Sequence, residues 1–86
     1  MQVTIFFKAA GGITEDLQLL LDQLTEDGIE YVLANVDEKM NADTAATYDV
    51  VNFPAVVVSR GDGAPVQTWQ HSLPQASDVS NSLGRI

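Results

Sequence analysis

Tyr48-Asp49-Val50-Val51-Asn52-Phe53-Pro54-Ala55-Val56-Val57-Val58 is the stretch on which the fold turns. Ala55 to Val58 is an unbroken apolar run, too short for a helix and without a polar face, so it reads as a strand buried on both sides. Pro54 supplies no amide hydrogen, which suits the entry to a strand. Just upstream, Lys39 to Tyr48 reads as a weaker helix whose apolar points are Met40, Ala45 and Tyr48. Just downstream, Arg60-Gly61-Asp62-Gly63-Ala64 is a hairpin loop, because Asp-Gly tolerates the positive φ of tight turns. Val66 to Gln70 follows as a more polar strand, an expected edge.

The rest of the chain extends this pattern. Val3 to Phe7 is a second apolar run and predicts a central strand. Lys8-Ala9-Ala10-Gly11-Gly12 breaks it. Ile13, Leu17, Leu20, Leu21 and Leu24 then recur at helical spacing. Thr14 is the expected N-cap, with Glu15 and Asp16 in the first turn where the helix dipole favours them. Gly28 suits the C′ position, with Ile29 placed to touch Leu24. Ile29 to Val36 predicts another strand, apolar on both faces. Ser72-Leu73-Pro74-Gln75 has the form of a capping box opening a last helix, with Leu73, Ala76, Val79, Leu83 and Ile86 as its apolar stripe. The order is β-α-β-α-β-β-α. The strand-helix-strand opening implies parallel pairing of the first two strands by a right-handed crossover. The hairpin makes the last two antiparallel, so a four-stranded mixed sheet with helices on both faces is expected.

Composition narrows the functions. The chain has 86 residues, twelve acidic and four basic, for a formal charge of −8 and 45% apolar content. That suits one domain over residues 1–86, able to bury roughly 60–65% of its unfolded surface. Every acid except Asp62 and Asp78 lies in the first fifty residues. Such a field repels nucleic acid and anionic membranes. Cysteine is absent, which excludes disulfides, iron–sulfur clusters and thiol chemistry, and one histidine, His71, leaves no ligand set for structural zinc. The N-terminus has neither a basic start nor a small-residue cleavage site, and no apolar run approaches the ~18 residues of a membrane helix, so a cytoplasmic protein is expected.

The Tyr48–Val58 stretch resembles the thioredoxin-family segment in which a tyrosine and an aliphatic residue precede a cis-proline and an apolar strand, with Pro54 at the cis-proline position. Length and short loops look like the glutaredoxin and NrdH-redoxin branch. Phe7-Lys8-Ala9-Ala10-Gly11-Gly12-Ile13-Thr14 lines up with the family's lysine and Cys-x-x-Cys loop: Lys8 matches the lysine, and Gly11 and Thr14 fall where the cysteines would be. Trp69-Gln70-His71-Ser72-Leu73-Pro74 looks like the NrdH stretch between last strand and last helix. The resemblance implies a glutaredoxin-type thioredoxin fold and a groove that, in relatives, holds glutathione or a client peptide beside the cis-proline. It does not carry the activity over. Dithiol exchange needs a thiolate nucleophile and a resolving thiol; Gly11 has no side chain and Thr14 is a hydroxyl with no evident base.

The groove residues implied in this way are Lys8, Ala10, Gly12, Phe53, Pro54, His71 and Ser72. Ser72 is better explained as a cap. Phe53 beside Pro54, with Ala9 and Ala10 opposite, would make an apolar contact patch. Gly11-Gly12 before a helix would offer amides to an anion, but Glu15 and Asp16 repel one, so a permissive turn is the better reading. His71 lacks the partners of a hydrolase triad. Trp69 suits core or groove wall equally. Arg60-Gly61-Asp62 is turn chemistry rather than an integrin-binding tripeptide. The pairs Glu15-Asp16, Glu26-Asp27 and Asp37-Glu38 are sequence neighbours and read as solvated surface. The expectation is a redox-inactive module with no catalytic or metal residues, which binds a protein partner, favoured if basic, through the groove or the acidic first helix. The alternative is a glutaredoxin-like protein that still binds glutathione or another small thiol.

Overall fold

Gln2–Phe7 forms strand β1 because its side chains alternate onto two buried faces, Val3 and Ile5 on one and Phe6 on the other. β1 pairs in parallel with β2 (Val32–Asn35) and antiparallel with β3 (Ala55–Ser59), which pairs antiparallel with β4 (Pro65–Trp69). The four-stranded sheet has the order β2-β1-β3-β4. This computed structural model describes residues 2–70 and 72–84. β3 is buried along its whole length, as its apolar run requires. β4 is an edge and opens with Pro65, a position where a missing ladder donor costs little.

Three helices, α1 (Glu15–Glu26), α2 (Lys39–Thr47) and α3 (Ala76–Ser82), complete the expected order, with a 3₁₀ turn over Ala9–Gly11 inserted before α1. Leu17, Leu20, Leu21 and Leu24 of α1 and Ala76 and Val79 of α3 pack with Val3, Ile5, Val56 and Val58 on one face. Ala45 and Val50 pack with Phe6, Ala34, Ala55 and Val57 on the other, where Tyr48 lies 6.5 Å from Phe6 between ring centroids. The Tyr48 hydroxyl donates to the Gly63 carbonyl at 3.0 Å, tying the end of α2 to the hairpin.

Local rules set the ends of α1. The Thr14 hydroxyl accepts from the Leu17 amide at 3.3 Å. At the other end Gly28 has φ 74°, and the amides of Gly28 and Ile29 reach back to the carbonyls of Thr25 and Leu24 at 3.1 and 2.9 Å. That is a complete Schellman ending with its buried Ile29–Leu24 contact. α2 ends the same way with an unexpected residue. Asp49 takes φ 58°, and the amides of Asp49 and Val50 return to Ala46 and Ala45 at 3.0 and 2.9 Å. In the hairpin, the Gly63 amide bonds the Arg60 carbonyl at 2.8 Å, so the Arg-Gly-Asp tripeptide forms the turn.

Four expectations need correction. The second strand is Val32–Asn35, shorter than Ile29 to Val36, and it is an edge with Val32 and Leu33 exposed. Ile29 is consumed in closing α1. Ile13 lies before the N-cap on an exposed loop and does not join the leucine stripe. Met40 is 79% exposed, so only Ala45 and Tyr48 anchor α2. Ser72 does not cap α3: the helix starts after Gln75, whose amide donates to the Asp78 carboxylate at 3.1 Å. A charged acceptor outcompetes the neutral alternative upstream. Ile86 lies outside the described residues.

Candidate functional site

The register brings the C-terminal ends of β1, β2 and β4 and the N-terminal end of β3 to one end of the sheet. α1 starts there as well. Phe53 and Pro54 enter β3 at this corner, joined by a cis peptide bond. A groove of about 220 Å³ opens beside them, walled by Thr14, Asp16, Phe53, Pro54, Gln70, Ser72 and Leu73. The Lys8 ammonium sits over the Phe53 ring, 5.5 Å from its centroid, a cation–π contact at the rim.

Of the residues proposed from sequence, Thr14, Phe53, Pro54 and Ser72 meet in this groove, and Lys8 touches it through Phe53. Ala10, Gly11 and Gly12 do not line it; they form the exposed 3₁₀ turn and its cap. The turn is closed by the Gly11 and Gly12 amides bonding Lys8 and Ala9 carbonyls at 3.1 and 3.0 Å. Those amides are therefore spent on the backbone. His71 lies outside the described residues. Trp69 packs against the core beneath α1 and α3, which decides between its two readings.

Two amide side chains, unremarked in the sequence, build the corner. The Gln70 carbonyl oxygen accepts from the amides of Val51 and Asn52 at 2.9 and 3.3 Å, while its NH₂ donates to the Asp49 carbonyl at 3.3 Å. The loop before Phe53 is thus fastened to the end of β4. Asn35 does the same on the far side: its Oδ1 accepts from Ala9 and Asp37 amides at 3.3 and 3.0 Å. The available signal was the loops' own backbone, since amides outside helix or strand must find acceptors.

Thr14 is committed to its cap, and no carboxylate or ring nitrogen among the described residues bonds its hydroxyl. Asp16 adds a negative charge to the groove that Lys8 opposes at the rim. Among the described residues of the corner, no side chain is bonded in a way that would activate the Thr14 hydroxyl.

The backbone has a close structural counterpart. The chain is similar to thioredoxin 1 from the thermophilic eubacterium Thermosipho africanus TCF52B, with a TM-score of 0.66 over 98% of this chain and 91% of that one, at 15% identity. The fold is thioredoxin-like. No family model matches the chain, and no curated protein matches it. With no cysteine anywhere, this thioredoxin-like domain has no dithiol active site.

Proposed function

We propose that this chain is a redox-inactive thioredoxin-fold module of the cytoplasm that binds a protein segment in the Phe53–Pro54 groove. One observation carries the reading: the groove stands open at about 220 Å³ in a chain that has no thiol. Its aromatic wall, with Pro54 and Leu73 beside Phe53, offers apolar contact to a peptide side chain. Length and short loops favour the glutaredoxin and NrdH-redoxin branch. The acidic surface favours a basic partner. Selection of random peptides on the immobilised protein tests this. Peptides enriched on the wild type should lose at least tenfold in affinity on Phe53→Ala. Equal binding to both proteins would remove the groove from the proposal.

Lys8 motivates a second reading, binding of glutathione, because its ammonium at the rim is the partner a ligand carboxylate needs. An amide-resolved titration with reduced glutathione separates the two. Saturable shifts at Lys8, Thr14 and Phe53–Ala55 that weaken in Lys8→Ala would establish the small-ligand reading; silence at millimolar concentration rejects it.

A further inference from the structure

A second groove lies on the other side of Asp16. It runs between α1 and the turn into α3, opens to solvent with a volume of about 470 Å³, and has Leu19, Leu20, Pro74 and Ala76 in its lining. Leu19 is 61% exposed, unlike the four buried leucines of its helix. Asp16 and Asp27 both line the groove. They are three turns apart, hence on one face and separated by about 16 Å. α1 carries no lysine or arginine, and among the described residues neither carboxylate is in an ion pair. Apolar side chains thus lie between two negative ends.

The groove is open to solvent, so the spacing of its two carboxylates sets the shape of the occupant. An extended chain bridges that distance with the fewest residues. In an extended chain, residues two apart share a face and rise about 6.6 Å. A cation, an apolar side chain and a second cation at alternate positions therefore span ~13 Å, and the reach of lysine or arginine side chains closes the remainder.

We propose that this groove binds an extended basic segment in which one apolar side chain is flanked, two residues away on each side, by cationic ones. The cations meet Asp16 and Asp27, and the apolar side chain settles on Leu19 and Leu20. The site does not depend on the Phe53–Pro54 groove being used.

The probe is the peptide Ac-Ser-Arg-Gln-Leu-Gln-Arg-Ser-NH₂, titrated into ¹⁵N-labelled protein at low salt. Controls are the peptide with both arginines replaced by glutamate and the peptide with leucine replaced by serine. Saturable shifts are expected over residues 16–27 and 74–77. Affinity should fall at least fivefold in Leu19→Ser and in the Asp16→Asn, Asp27→Asn double variant, all exposed changes that leave the native spectrum intact. The charge-reversed peptide should give no shifts. The proposal is overturned by silence at millimolar peptide, by equal binding of the charge-reversed peptide, or by unchanged affinity in Leu19→Ser. Shifts confined to Phe53–Ala55 would overturn it too, while leaving the first groove standing.

Discussion

Gln70 alone satisfies three backbone groups of the loop that presents Phe53. Those groups are near solvent, so water can replace the side chain in part. Gln70→Ala should therefore cost about 1–2 kcal/mol in urea unfolding. It should also broaden or shift the amides of residues 49–54, because the loop loses its tether to β4. Gln70→Glu keeps the acceptor for Val51 and Asn52 but turns a carboxylate oxygen toward the Asp49 carbonyl, so it should stay destabilised while the Val51 and Asn52 amide resonances hold their positions; shifts of those two amides as large as in Gln70→Ala would remove the hydrogen-bond explanation. Backbone conformation acts at the same scale. Gly28 holds φ 74° with open space around it. Gly28→Ala thus tests strain without any clash and should lower stability by about 1 kcal/mol. Asp49 occupies the matching place after α2 at φ 58°, a role its side-chain class tolerates better than most.

On α1, two leucines separate burial from exposure within one element. Leu24 is fully buried against the sheet, and Leu24→Ala should cost about 2–5 kcal/mol by transfer and cavity together. That is a large part of the stability of a chain this size, about 0.05–0.15 kcal/mol per residue. Leu19→Ala should stay within about 0.5 kcal/mol; a larger loss by thermal or urea unfolding would mean that Leu19 belongs to the core. The same distinction explains what could be read from the sequence. The leucine spacing, the Thr14 cap and the Gly28 ending are local signals and gave α1 to its last turn. The valine run of β3 and the Asp-Gly turn were local too. The Ser72 cap failed because the Gln75 amide it would need bonds the Asp78 carboxylate instead. β2 looked buried on both faces because its composition is apolar; its place at the sheet edge is a topological fact. In the corner site, Phe53, Pro54 and Thr14 were legible through resemblance. Gln70 and Asn35 were not, because long-range side-chain-to-backbone bonds leave no periodic trace.

At the scale of the whole molecule, charge sets opposite responses for folding and for binding. The protein measures 35 × 31 × 19 Å and carries a formal charge of −8. At 10 mM ionic strength the Debye length is about 30 Å, so every carboxylate feels every other across the fold. Near 150 mM it falls to about 8 Å, and repulsion persists only between neighbours such as those on α1. The ion pairs among the described residues, Lys39–Asp43 and Arg60–Asp62, are at 3.8 and 3.9 Å and exposed, so their loss on screening is small. Folding stability should therefore rise as sodium chloride is added from 10 to 300 mM, seen as an increase in the midpoint of thermal unfolding. A flat or falling midpoint would mean that attractive contacts outweigh the net field. Binding of an arginine-bearing segment must move the other way, because screening removes the attraction of Asp16 and Asp27 for the incoming cations. Salt that tightens the fold and loosens the complex in the same titration separates electrostatic recognition from a peptide that merely prefers the better-folded protein, since the latter would bind more strongly as the fold gained stability.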